Sequence, residues 1–125
     1  MPALTLEWFF PFFQGCLLGL LAMALHEGGH LVAAMTLGLK IKAIGFNRKG
    51  LYTVREAGTP AKNLLVTLAG PATNFVLVLL WPLSPLFSMA NLCFTLANLM
   101  PIEGSDGERA LKCWLEITHS NSFVP

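Results

Sequence analysis

The sequence predicts an all-α membrane protein: a three-helix transmembrane core, a small β-hairpin between spans 1 and 2, and a short C-terminal helix. Two observations lead there. The 125-residue chain is 54% hydrophobic and 12% charged, about half the charge of an ordinary soluble domain. Its eight Lys and Arg fall in two blocks, six within residues 40–62 and the pair Arg109 and Lys112. Cytoplasmic loops collect Lys and Arg, so the loop 39–62 and the C-terminus are expected in the cytoplasm. The N-terminus and the short connection 81–85 then lie outside. The expectation is one multi-pass domain in the cell membrane, and a net charge of +1 gives no reason to expect a nucleic-acid partner.

The first span, about residues 11–38, would be roughly 40 Å long, enough to cross a bilayer with some tilt or overhang. Trp8 and the phenylalanines at 9, 10, 12 and 13 suit an interfacial belt, and Gly15 and Gly19 permit close helix approach. The opening "MPALTLEWFFPFF" has no positive n-region and no A-x-A-like site, so it reads as a poor signal peptide. Two β-favouring runs, 41–46 and 51–54, flank Asn47-Arg48-Lys49-Gly50 and predict a hairpin over about 40–55; an irregular loop is the alternative. Thr59 and Pro60 read as an N-cap and first helical residue. They open a second span, about 60–81, with a break expected at Gly70-Pro71. A third span, about 85–100, stops at Pro101. A brief amphipathic helix over about 107–117 follows, at the cytoplasmic interface, and then a disordered tail. Cys16, Cys93 and Cys113 match no zinc or redox spacing and read as packing residues.

The chemistry lies in His26-Glu27-Gly28-Gly29-His30. Residues i and i+4 share a helix face, so both imidazoles can bind one metal, and Glu27 beside them can take a proton from water. Histidines satisfied by nearby backbone are the bland alternative, but ionisable groups within an apolar span are costly and usually functional. His26 lies about 22 Å along the helix from Pro11, and His30 about 15 Å from Lys40, so the pair sits inside the membrane, nearer the cytoplasmic face. Gly28 and Gly29 leave room either for substrate backbone or for a packed helix.

A catalytic zinc site needs a third protein ligand. Asp106 is the best candidate, since the third span descends about 24 Å towards the level of His26; Glu103 and Glu108 compete. Asn74 reads as an interhelical hydrogen-bonding residue. It would lie only about 10 Å from the outer end of its span, an awkward match to the depth of His26.

Together these residues resemble the site-2 protease family of intramembrane zinc metalloproteases. "HEGGH" (26–30) is similar to the metal helix, "AGPATN" (69–74) to a G-P-x-x-N segment, and "NLMPIEGSDG" (98–107) to an N-x-x-P-x-x-x-x-D-G segment. The resemblance implies that His26, His30 and Asp106 bind one Zn²⁺ per chain and that Glu27 is the catalytic acid/base. It also implies that Asn74 and Asn98, with Gly70, Pro71 and Pro101 of the same segments, line or support the site. The implied activity is hydrolysis of peptide bonds in or near transmembrane segments of membrane-anchored substrates, such as anti-sigma factors. The implied partners are a transmembrane protein substrate, the lipid bilayer, and a second copy or an accessory membrane protein. The hairpin would capture an unwound substrate by strand addition. Ser105 and Glu108 depart from the family pattern, and no PDZ or other soluble regulatory domain is recognisable. The alternative function is a catalytically silent helix-binding or metal-binding protein of the same fold.

Overall fold

The computed structural model describes residues 2–122. The elements are α1 (Pro2–Thr36), β1 (Ile41–Asn47), β2 (Gly50–Arg55), α2 (Pro60–Leu77), α3 (Pro85–Leu99) and α4 (Asp106–Asn121), with one 3₁₀ turn at Val78–Leu80 after α2. Among the described residues the fold is thus mostly helical, with a single antiparallel hairpin between α1 and α2. Among the described residues, two helical stretches are long and apolar enough to cross a membrane, Glu7–Thr36 and Pro60–Leu80. α3 is apolar but has 15 residues, about 22 Å, short of the ~30 Å hydrocarbon core.

Three boundaries differ from the sequence expectation. α1 runs through Pro11 and α2 runs unbroken through Gly70-Pro71. A proline removes one backbone donor and strains one turn, which a long apolar helix tolerates because every other bond of the ladder survives. α4 continues to Asn121 through the first half of the segment expected to be disordered; residues 123–125 lie outside the described residues. The cysteines also differ: Cys16 and Cys93 are exposed on the outer surface and only Cys113 is partly covered.

Helix ends are built from local chemistry. α1 closes in a Schellman turn, with Gly38 at φ +75 and the amide of Leu39 donating to the Ala34 carbonyl at 2.9 Å. Glycine fits that left-handed position without strain. Lys62 Nζ donates to the Leu37 carbonyl at 3.1 Å, a cation on the negative end of the helix. α2 begins at Pro60 behind the N-cap Thr59, whose hydroxyl accepts from the Lys62 amide.

The hairpin does not stand off as a loop. An added Cβ on Gly50, at the end of its turn, would come within 2.8 Å of Met23 Sδ, so the tip lies against α1 about one turn N-terminal to His26. From Met23 to Thr36 the helix rises about 20 Å, and a seven-residue strand covers about 23 Å, so the hairpin runs back along the inner half of α1, with β2 the strand nearer the helix. Asn47 Oδ1 accepts from the Lys49 amide at 2.8 Å and Gly50 takes φ +114, which lets two residues reverse the chain.

Burial is distributed the opposite way from a soluble domain. His26, Thr67, Asn74, Ser88, Asn91, Thr95 and Asp106 are buried. Trp8, Phe9, Phe10, Phe12, Leu79 and Leu83 are among many large apolar side chains left on the outside. Among the described residues the buried apolar side chains are few, and a small cluster of them, Ala34, Leu39 and Val66, closes the end of the bundle where α1 meets α2.

Candidate metal centre

α1, α2 and the start of α4 bring three side chains together. His26 Nε2 and His30 Nε2 lie 3.1 Å apart, and Asp106 Oδ2 lies 2.9 Å from the first and 3.2 Å from the second. Their helical spacing puts the two imidazoles on one face of α1. Asp106 reaches them because α3 ends at Leu99, just before Pro101, and a tight turn, with Gly104 at φ +81, sends the chain back towards the cleft.

The donors on the far side of each ring decide what sits between them. His30 Nδ1 is 2.7 Å from the Val66 carbonyl, and His26 Nδ1 is 2.6 Å from Asn74 Oδ1. Both partners accept, so both Nδ1 atoms carry the proton and both Nε2 atoms of the neutral rings are bare lone pairs. Three acceptors therefore converge with no proton among them. Either extra protons or a cation must fill the gap. Zn–N and Zn–O bonds of 2.0–2.1 Å at tetrahedral angles space ligand atoms by about 3.3 Å, close to all three edges of this triangle. The donor set fits zinc.

Glu27 is half-buried, with a carboxylate oxygen within 4.8 Å of the imidazole donors. It lines a cavity of about 350 Å³ together with His26, His30, Asp106, Asn98 and β2 residues including Thr53. The cavity gives the site an opening between the hairpin and α4.

The glycines resolve into two roles. An added Cβ on Gly29 would lie 2.7 Å from the Ala69 carbonyl, whereas Gly28 has open space. Gly29 is thus the packing glycine of α1 against α2. Gly70 is tighter still: its Cβ would run into His30 Nε2 and Cε1 and lie 2.9 Å from His26 Cε1, so α2 is the wall on which both rings rest. Pro71 is buried in the next position.

Of the other sequence candidates, Asn74 joins the site directly. The mismatch of depth disappears because α1 starts near residue 2 and overhangs the shorter α2–α3 pair. Asn98 lines the cavity but donates to its own helix, to the Phe94 carbonyl at 2.9 Å. Pro101 is exposed and lies where α3 stops. Glu103 is exposed, and Glu108 pairs with Lys112 at 2.6 Å rather than with the imidazoles.

Glu108 has another task. Ser105 Oγ accepts from the Glu108 amide at 3.1 Å, while the Glu108 carboxylate accepts from the Gly104 amide at 2.7 Å. This reciprocal cap, close to a capping box, fixes the first turn of α4 on which Asp106 rides. Ser105→Ala is expected to lower thermal stability by about 1 kcal/mol and to weaken metal binding by loosening Asp106; a melting curve and a zinc titration check it.

The sequence reading missed Asn91. It is fully buried on α3, its Oδ1 2.7 Å from Asn74 Nδ2 and its own Nδ2 2.8 Å from the Phe87 carbonyl. The signal in the sequence was a second amide, besides Asn98, in a mostly apolar helix.

No protein-family model matches the chain. It is 34% identical over 121 residues to a Synechocystis sp. protein whose name calls it, provisionally, a zinc metalloprotease. The match covers 82% of this chain and 32% of that protein, so the chain spans about a third of its relative's length. The likeness points to a zinc protease at the coarse level, as does the His26-Glu27-His30 group that could hold a metal.

Proposed function

We propose that this chain is the core of an intramembrane zinc endopeptidase of the site-2 protease type, cutting peptide bonds in or near transmembrane segments. The observation that carries the reading is the bare triangle of His26 Nε2, His30 Nε2 and Asp106 Oδ2 inside a bundle whose exterior is apolar and whose interior is polar. That inversion is favourable in lipid and costly in water, where large apolar patches drive association. Positive-inside orientation then puts the cavity mouth towards the cytoplasm. The charged hairpin tip, Arg48 and Lys49, at the level of Met23 requires a hydrated path, which also delivers the water that hydrolysis consumes.

In this reading His26, His30 and Asp106 hold the metal. Zinc bound there would supply Lewis-acid polarisation of the scissile carbonyl and acidify a water molecule. Glu27 accepts a proton from the attacking water and returns it to the leaving amine. Gly28, open to space, leaves substrate backbone room beside the ligands, and α2 closes the opposite side. The substrate would be a membrane-anchored protein whose helix has unwound locally, since a helix hides its carbonyls in its own hydrogen bonds. Strand addition to the open edge of β2 would hold such a segment.

The test is cleavage of a single-span reporter by the purified chain in proteoliposomes. Cleavage that stops with a chelator and returns with zinc is expected. A protein that binds zinc tightly and cuts no reporter would favour the catalytically silent alternative.

A further inference from the structure

We infer that Asn91 is a positioning residue for the metal centre: through Asn74 it fixes the His26 ring with Nδ1 protonated and the Nε2 lone pair aimed at Asp106 and His30. The inference rests on the zinc reading of the triangle, not on proteolysis.

It follows from the direction of each hydrogen bond. A carbonyl can only accept, so the Phe87 carbonyl takes the Asn91 NH₂ at 2.8 Å and turns the Asn91 Oδ1 towards Asn74. Asn74 Nδ2 then meets two acceptors, Asn91 Oδ1 at 2.7 Å and the Ala22 carbonyl at 3.1 Å. Both demand its NH₂, which leaves Oδ1 for His26. His26 Nδ1, 2.6 Å from that oxygen, must carry the proton, and a neutral ring has only one. Nε2 is left bare for a cation.

The relay crosses three helices, α3 to α2 to α1, and water cannot replace it. Asn74 and Asn91 are 0% exposed and His26 is 4% exposed. In such a setting the orientation of one amide is worth enforcing, because a flip of Asn74 would present NH₂ to Nδ1. His26 would then carry its proton on Nε2, the atom that faces Asp106 and His30, and would have no lone pair to offer a cation there. Without Asn91, only the longer contact to the Ala22 carbonyl opposes that flip.

Asn91→Leu removes the relay while keeping the branching and the number of side-chain heavy atoms. In the full chain in detergent, zinc affinity measured by chelator competition is expected to fall about 10–100-fold, the usual loss when a partner behind a metal-bound histidine is removed. Ser88→Ala is the packing control: Ser88 is buried on the same helix, one turn earlier, and its hydroxyl has no partner among the described residues. Its zinc affinity is expected to match wild type. Nitrogen-15 spectra of the metal-free protein, at a pH where the ring is neutral, give a readout that packing does not move. Wild type is expected to show His26 as the Nδ1–H tautomer alone, and Asn91→Leu a mixture with Nε2–H.

Wild-type affinity and tautomer in a folded Asn91→Leu would overturn the inference, as would an equal loss in Ser88→Ala. If Asn91→Leu does not fold, the wild-type spectrum decides: an Nε2–H ring overturns the inference and an Nδ1–H ring supports it. Wild type that binds no zinc refutes the metal reading itself, and the inference falls with it.

Discussion

Glu27→Gln is expected to keep one zinc per chain and to lower reporter cleavage by about 10²–10⁴-fold, the span that a positioned acid/base contributes. The asymmetry comes from the ligand triangle, which is complete without Glu27: its three edges of 2.9, 3.1 and 3.2 Å join only His26, His30 and Asp106. Glutamine keeps the size and hydrogen-bonding shape of the side chain but cannot accept a proton at neutral pH. The cavity lining and α1 packing stay as they were. Metal analysis beside turnover separates the roles. Loss of zinc together with activity would make Glu27 a ligand; full activity would remove it from the chemistry.

Gly70→Ala is expected to abolish zinc binding at micromolar metal, although the substituted residue never touches the ion. Helix propensity alone favours the change by about 1 kcal/mol. The new methyl, however, would occupy space held by the His30 ring and lie 2.9 Å from His26 Cε1. Overpacking of this kind costs about 1–3 kcal/mol, and relief comes only by moving the rings or separating α2 from α1. Either movement opens the triangle. A zinc titration and a melting curve check it. Unaltered affinity with a higher melting temperature would mean that α2 does not press on the imidazoles.

These two residues show what was legible in the sequence. His26, Glu27 and His30 could be read from spacing on one helix, and Asp106 from the length of the third span and the turn after it. The hairpin strands were legible from their β-branched runs and turn residues. Its course was not, because strand pattern does not say that Gly50 comes to rest against Met23. Gly70-Pro71 was read as a break for the same reason. Local propensity sees a weak helix point, whereas the packed rings of α1 are what make a glycine necessary there. The resemblance treats Asn74 and Asn98 alike, as residues that line or support the site. Only the packing of α1 on α2 distinguishes the one that reaches His26 from the one that turns back to the Phe94 carbonyl. Asn91 belongs to no recognisable motif, and its place between Phe87 and Asn74 depends on how two helices align.

The central claim is that zinc chemistry takes place within a bilayer. The most direct measurement is the position of the cut: mass spectrometry of the fragments released from a single-span reporter by the zinc-loaded chain in proteoliposomes. Cleavage inside or at the cytoplasmic edge of the reporter's apolar segment, absent in Asp106→Ala, is the expected result. Fragments cut only in the reporter's soluble flanks, or cut equally by Asp106→Ala, would contradict it.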